Sequence, residues 1–205
     1  MVIGVVTLNF GNIASILNML NTIGYQHKLI RTPLDLTPEV TKIIFPGVGH
    51  FDYAMNALKK SGLDERIKQL SIEEKTPILG ICLGMQLLLE NSEESGSDGL
   101  GLIPGSVVKI ESATNGPIRL PHVGWRWVVR DKTSKLYPSL ESNLRFYFTH
   151  TFVARPLDEN IITSKIEYGS QLCSSFEHNN ILGVQFHPEK SHRFGFELFR
   201  NFCQL

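Results

Sequence analysis

One cysteine lies at the centre of the run Pro77-Ile78-Leu79-Gly80-Ile81-Cys82-Leu83-Gly84-Met85-Gln86, between two glycines. The apolar residues before it indicate a buried strand, and the residues from Met85 to Glu90 continue as a helical pattern. A side chain at such a strand-to-helix turn projects beyond the sheet, and the flanking glycines tolerate the crowding. The positive end of the helix stabilises a thiolate, the reactive form of cysteine. The run therefore predicts a nucleophile at Cys82.

The competing interpretation is a buried structural cysteine, which is a common environment for an isolated thiol. Cys173 lies in a strand-like run and Cys203 at helical spacing from Phe199, so we assign that structural interpretation to both. At Cys82 the strand, the paired glycines and the helix together favour a functional role.

The first ninety residues alternate apolar runs with helical patterns, which indicates βα units in a largely parallel sheet. We expect an α/β fold of three layers, in which a mostly parallel open sheet is flanked by helices. The predicted strands are Val2 to Val6 and Lys42 to Phe45, and a turn is predicted at Phe10-Gly11-Asn12. The predicted helices run from Ile13 to Ile23 with Gly24 ending it, from Phe51 to Lys60 with Gly62 ending it, and from Leu63 to Leu70.

Beyond Ser92 four glycines mark a loop, and the later runs are mostly β-branched and aromatic. We therefore expect additional antiparallel strands in the C-terminal half, followed by a final helix that contains Phe196 and Phe199. The predicted strands are Ser106 to Ile110, Trp125 to Val129, Leu144 to His150, Leu172 to Glu177 and Ile181 to Phe186, the last two joined as a hairpin.

The composition restricts the class of protein. The chain has 205 residues, 42% of them hydrophobic, which suits one domain over residues 1–205. Twenty basic residues balance twenty acidic ones, so we expect neither nucleic acid nor a membrane as partner. Three widely spaced cysteines argue against a disulfide framework, and the histidines lack the short paired spacings of a zinc site. We expect a cytoplasmic protein without a bound metal.

A base and an orienting carboxylate follow a predicted strand in Gly183-Val184-Gln185-Phe186-His187-Pro188-Glu189. Extended residues two apart point to the same side, so Glu189 can hydrogen-bond one ring nitrogen of His187 while the other nitrogen faces the thiol. This spacing predicts a Cys82-His187-Glu189 triad.

Attack on an amide needs donors for the developing oxyanion. The segment Pro46-Gly47-Val48-Gly49 follows a strand, and the amides of Val48 and Gly49 are our candidates for these donors. By itself the segment fits an ordinary βα turn equally well.

These motifs resemble those of class I glutamine amidotransferases, over nearly the whole chain. Within that family, three further segments are similar to the glutaminase subunits of imidazole glycerol phosphate synthase. They are Gly99-Leu100-Gly101-Leu102-Ile103-Pro104-Gly105, Pro121-His122-Val123-Gly124-Trp125 and Tyr147-Phe148-Thr149-His150-Thr151.

The resemblance implies that glutamine is the substrate and that no cofactor takes part. It also implies that Cys82 forms a γ-glutamyl thioester with the substrate and that His187 transfers the protons. It also implies an ammonia-accepting (β/α)8-barrel synthase subunit, whose binding activates the glutaminase through Pro46 to Gly49. The implied glutamine-binding residues are Gln86, Glu94, His150 and Thr151. The implied partner-interface residues are Asn12, Trp125, Tyr147 and Lys190.

Three alternatives stay open at this point. Arg126 and Phe152 depart from the branch pattern, which leaves a paralogous glutaminase that feeds another synthase, such as one amidinating a surface-polysaccharide sugar. The same triad also suits a cysteine peptidase or γ-glutamyl hydrolase. An inactive scaffold subunit is disfavoured because Cys82, His187 and Glu189 are all present.

Overall fold

The computed structural model describes residues 1–7, 12–111, 118–130, 132–139 and 143–205. Phe10 and Gly11 of the predicted first turn lie outside these ranges. The strands, numbered in chain order, are β1 (Val2–Val6), β2 (His27–Ile30), β3 (Val40–Gly47), β4 (Ile78–Cys82), β5 (Leu89–Ser92), β6 (Ile103–Lys109), β7 (His122–Trp127), β8 (Arg145–His150), β9 (Phe152–Pro156), β10 (Ile162–Glu167), β11 (Gln171–His178) and β12 (Ile181–Val184). The helices are α1 (Ile13–Thr22), α2 (Phe51–Ser61), α3 (Leu63–Ile72), α4 (Leu83–Leu87) and α5 (His192–Gln204).

The main sheet has seven strands in the order β10-β11-β12-β4-β3-β1-β2 within the described residues. The pairs β2-β1, β1-β3, β3-β4 and β4-β12 are parallel, whereas β12-β11 and β11-β10 are antiparallel. Strands β4, β3 and β1 are almost wholly buried, as expected for parallel strands covered on both faces. The predicted α/β fold is confirmed.

The helices form two packed groups that flank this sheet. Helix α1 packs with α5, and α2 packs with α3 and α4. Gly62 ends α2 and begins α3 in the left-handed region, at φ 75°, where a glycine avoids the steric cost of a Cβ. Helix α5 buries a stripe at helical spacing that includes Leu198, Phe199 and Phe202, which explains why the apolar C-terminal pattern folds onto the sheet.

The helix predicted to run on to Glu90 is shorter than expected. Helix α4 ends at Leu87, and β5 begins at Leu89. An uninterrupted leucine run suits a buried helix and a buried strand equally, so hydrogen bonding to a neighbouring strand decides between the two. Leu89 pairs in parallel with Ile103 of β6, and this small sheet is completed by β9.

Strands β7 and β8 form a separate two-stranded ribbon. The predicted strand Trp125 to Val129 was displaced from its true position, because β7 begins at His122 and ends at Trp127. Its register pairs Trp125 with Tyr147 and Trp127 with Arg145. The predicted hairpin between β11 and β12 is confirmed, with Asn179 in the turn at a positive φ of 55°.

Within the described ranges, none of the helices reaches the length and apolar content that a membrane crossing requires.

Candidate active site

Cys82 occupies a strained position between β4 and α4. Its backbone has φ 54° and ψ −110°, a region that side-chain-bearing residues rarely adopt. Such strain costs about 1 to 3 kcal/mol and persists where the surrounding structure enforces it, typically at functional sites. The side chain is 6% exposed.

Two glycines make this cysteine turn, residues Gly80 to Gly84, sterically possible. A Cβ on Gly80 would lie 2.7 Å from the Cα atom of Met85, and a Cβ on Gly84 would lie 1.7 Å from the carbonyl oxygen of Phe45. The start of α4 therefore sits directly against the end of β3, which leads into the predicted oxyanion segment.

His187 and Glu189 form a buried pair. His187 Nδ1 lies 2.8 Å from Glu189 Oε1, and the two side chains are 1% and 3% exposed. The predicted contact is present, although the predicted extended geometry was wrong. Glu189 lies in a 3-10 turn from Pro188 to Lys190, and this turn folds the carboxylate back toward the ring.

The environment of His187 favours its protonated form. Burial alone lowers the pKa of the imidazole, but the negative charge of Cys82 and the carboxylate of Glu189 outweigh it and raise the pKa to about 10. The Nε2 atom has no hydrogen bond of standard geometry among the described residues, so we ascribe the effect of Cys82 to its charge. An imidazolium at His187 is the form that can pair with a thiolate, the reactive form of cysteine.

A cavity of about 270 Å³ opens above the sulfur. All the predicted oxyanion and glutamine-binding residues line it, together with Cys82. They are Val48, Gly49, Gln86, Glu94, His150 and Thr151, joined by Leu83, Pro121, Thr149 and Phe152. The structure thus brings residues from distant parts of the sequence to one polar cleft.

Glu94 also caps a helix. Its Oε2 accepts a hydrogen bond of 2.8 Å from the backbone N–H of Phe51 at the start of α2, and its Oε1 lies 4.0 Å from His50 Nε2. The first N–H groups of a helix lack internal partners, so a carboxylate is favourable there. Because His50 follows Val48 and Gly49, Glu94 connects the cavity to the predicted oxyanion segment.

Replacing Glu94 separates the observed helix cap from the predicted binding of a substrate α-ammonium. In Glu94→Gln the amide oxygen can still accept from Phe51, but a neutral amide cannot pair with a substrate α-ammonium. We expect the KM for glutamine to rise by about tenfold or more, with the free energy of unfolding changed by less than about 0.5 kcal/mol. Glu94→Ala should also lose the cap, at about 1 kcal/mol. Steady-state kinetics and urea unfolding check both, and an unchanged KM in Glu94→Gln would contradict substrate binding.

Gln86 and His150 line the cavity, but internal hydrogen bonds occupy much of their polar surface. Gln86 Nε2 donates to the carbonyl oxygen of Phe152 at 3.0 Å and to Gln185 Oε1 at 3.1 Å. His150 Nδ1 lies 2.8 Å from the same carbonyl, and its Nε2 lies 3.0 Å from His122 Nδ1. The Phe152 carbonyl therefore orients both side chains.

These contacts fix the protonation of the two histidines. A carbonyl only accepts, so His150 Nδ1 carries the proton, its Nε2 accepts, and His122 Nδ1 donates. The buried Nε2 atom of His122 has no hydrogen-bond partner among the described residues. Burial lowers the pKa of His122 to about 4 and that of His150 to about 3.

Acid should destabilise the protein through this pair. Both pKa values lie below the ordinary 6.5, so the unfolded chain binds protons that the folded chain does not. The stabilisation is complete above pH 6.5 and is lost as the pH falls from 6.5 toward about 4 for His122 and about 3 for His150. Urea unfolding across that range checks this, and His122→Phe should reduce the slope relative to His178→Asn, a control at an exposed histidine. Equal slopes in the two variants would contradict it.

The predicted interface residues lie at one side of the molecule. Trp125 and Tyr147 are paired across the ribbon with ring centroids 6.2 Å apart, and the ammonium of Lys190 lies 5.6 Å from the Tyr147 ring centre. Asn12 lies at the start of α1, which packs against the 3-10 turn that holds Lys190. Trp127, which our sequence reasoning missed, is 57% exposed on the same ribbon face.

The other residue that sequence reasoning missed is Gln185. Its Nε2 lies 3.6 Å from the Cys82 sulfur, and its side chain is fully buried. Gln185 lies two residues before His187 in the segment that the sequence analysis had already singled out, but its contact with Cys82 depends on the fold. Within the described residues, no cluster of three or more His, Cys, Asp or Glu side chains could hold a metal ion.

The sequence is similar to that of known proteins over nearly its whole length. Residues 6–204 match the family model for class I glutamine amidotransferases. The chain is 41% identical to imidazole glycerol phosphate synthase subunit HisH 2 of Methanococcus maripaludis, covering 98% of both chains. It is 38% identical to subunit HisH of Leptospira interrogans, covering 99% of this chain and 100% of that one.

Solved structures agree on the fold. A crystal structure of a glutamine amidotransferase superposes with a TM-score of 0.76 at 20% identity, covering 100% of this chain and 98% of the other. PurLQS from Thermotoga maritima gives a TM-score of 0.74 at 18% identity, and the match covers 99% of this chain and 97% of that chain. Because residues 6–204 match the family model and the two HisH relatives are 41% and 38% identical over nearly the whole chain, the chain belongs to the class I glutamine amidotransferase family.

Proposed function

We propose that this chain is the glutaminase subunit of an imidazole glycerol phosphate synthase in histidine biosynthesis. The observation that carries the proposal is Cys82 held at a strained turn beneath the cavity, next to the buried His187–Glu189 pair. Identity of about 40% over nearly full length to relatives named as subunits of that synthase supports the pathway. We also propose that the protein is cytoplasmic and that residues 1–205 form one domain. A single buried apolar cluster among the described residues supports the one-domain proposal.

The proposed reaction releases ammonia from glutamine in two steps. The Cys82 thiolate attacks the side-chain carboxamide carbon, and the amides of Val48 and Gly49 bind the oxyanion. The His187 imidazolium gives its proton to the departing amine, leaving ammonia and a γ-glutamyl thioester. Water, deprotonated by His187, then attacks the thioester, and glutamate and the thiolate separate.

Glu189 holds the His187 ring in place through Nδ1, so that Nε2 faces the reacting atoms. Its carboxylate also stabilises the imidazolium that forms when His187 removes a proton from water. Glu94 is the proposed partner of the substrate α-ammonium, because it is the carboxylate that lines the cavity.

A synthase subunit, which we propose to be a (β/α)8 barrel, would cover the outer face of the ribbon. That face carries Val123 and Trp127, which are 53% and 57% exposed, with Trp125 between them. Large exposed aromatic side chains are typical of interface anchors. The backbone N–H of His187 donates to the carbonyl of Tyr147 at 2.9 Å. A residue of the proposed interface is therefore hydrogen-bonded to the proposed base.

The test is glutaminase turnover with and without the cyclase subunit and its nucleotide ligand. We expect the partner to raise turnover and expect Trp125→Ala to weaken the complex. Equal rates with and without a bound cyclase subunit would contradict the proposed activation. A chain that hydrolyses glutamine but fails to bind the cyclase would point to the paralogous function in amidination of another substrate.

A further inference from the structure

We propose that Gln185 is a further catalytic residue, which donates a hydrogen bond to the Cys82 sulfur and stabilises its thiolate. Its Nε2 lies 3.6 Å from the sulfur, and the side chain is fully buried. The inference rests on the proposed role of Cys82 as the nucleophile. It adds a group that the triad does not contain.

The direction of the Gln185 amide is set by the protein and not by the sulfur. The Phe152 carbonyl can only accept, so the atom of Gln86 that faces it, at 3.0 Å, is the amide nitrogen. The second hydrogen of that nitrogen points to Gln185 at 3.1 Å, and only an oxygen can accept it. Gln185 therefore presents its own nitrogen to Cys82.

This chain of amides acts on the ionisation of the thiol. A donor that faces a buried sulfur replaces the hydrogen bonds that water gives a thiolate, and hydrogen bonds to charged groups are stronger than those to neutral ones. The sulfur's other described hydrogen-bond contact, the Thr149 carbonyl at 3.9 Å, accepts from a neutral thiol and opposes ionisation. The Nε2 donor of Gln185 favours the thiolate and so counteracts the effect of the Thr149 carbonyl.

Gln86 becomes a positioning residue in this arrangement. Both of its amide hydrogens are used within the protein, one by Phe152 and one by Gln185. Its nitrogen is therefore not free to bind glutamine. The resemblance assigned Gln86 to substrate binding, and the contacts of its nitrogen add a role in aiming Gln185.

The test is the pH dependence of Cys82 alkylation by iodoacetamide, followed by peptide mass spectrometry. In Gln185→Leu we expect the rate at neutral pH to fall by about tenfold, the effect of losing one hydrogen bond to a charged group. The rate should reach the wild-type plateau at high pH, where the thiol is fully ionised. A lost plateau would indicate altered access to the sulfur and would overturn the proposal.

Further variants sharpen the test. Gln185→Glu should shift the profile further, because a carboxylate repels the thiolate, while Gln171→Glu at an exposed position should not. Gln86→Leu should produce a smaller shift in the same direction. Because iodoacetamide reacts with the sulfur without binding as glutamine does, this shift reports the positioning of Gln185 and not substrate binding. Superimposable profiles for wild type and Gln185→Leu would refute the role of Gln185.

The outcome also separates this inference from the proposed function. Wild-type protein that hydrolyses glutamine and shows an unshifted Gln185→Leu profile rejects only the role of Gln185. Wild-type protein whose Cys82 reacts no faster than the buried Cys173 rejects both, because the nucleophile itself is then misassigned.

Discussion

Cys82→Ala should lower glutamine hydrolysis by about four orders of magnitude or more, since the nucleophile is removed while the cavity stays intact. No other described thiol can replace it. Burial raises the pKa of Cys173 to about 12 and that of Cys203 to about 12, so neither forms a thiolate at neutral pH. Glutamine should still bind, because the substitution removes one small side chain beneath the site. Ammonia release and isothermal titration with glutamine measure the two effects.

The matched controls are Cys173→Ala and Cys203→Ala. Each removes a buried thiol away from the cavity, so we expect a loss of stability and unchanged kcat in the folded fraction. Residual hydrolysis in Cys82→Ala within tenfold of wild type would show that the reaction does not need this sulfur.

Gly84→Ala should destabilise the fold by about 3 kcal/mol or more, at the upper end of overpacking effects. The added Cβ would lie 1.7 Å from the Phe45 carbonyl oxygen, which is backbone within a central strand and cannot rotate away. Relief requires α4 to move from β3, and that movement also shifts Cys82. We therefore expect both a lower urea midpoint and lower activity in the folded fraction.

Gly96→Ala is the control for this experiment. Gly96 has φ 66°, and a Cβ there would meet nothing within 4 Å, so the cost is that of the left-handed backbone, roughly 1 to 2 kcal/mol. Equal destabilisation by the two substitutions would mean that the close approach of α4 to β3 does not determine stability.

The sequence predicted the cysteine turn because its cause is local. An apolar strand, two glycines and a cysteine lie within a few residues, and the close contact of Gly84 with Phe45 explains the second glycine. The triad pair was predicted for a similar reason, although the turn at Pro188, and not an extended strand, brings Glu189 to the ring.

Other elements could not be predicted because distant partners determine them. Strand β5 exists because Leu89 pairs with Ile103, and the leucine run alone fits a helix equally well. Strand β10 buries the hydroxyl groups of Thr163 and Ser164 in addition to the apolar Ile166, and Ser164 Oγ lies 2.6 Å from Ser174 Oγ. Two neighbouring buried polar residues obscure the apolar alternation that would have predicted this strand. The capping role of Glu94 depends on the position of α2, which the sequence does not reveal.

The most direct test of the triad is covalent capture of its nucleophile. The protein is incubated with a glutamine-analogue electrophile, and the modified peptides are identified by mass spectrometry. We predict a single adduct on Cys82 that excess glutamine suppresses and that His187→Asn slows strongly. An unmodified Cys82, or an adduct on Cys173 or Cys203 instead, would contradict the assignment of the active site.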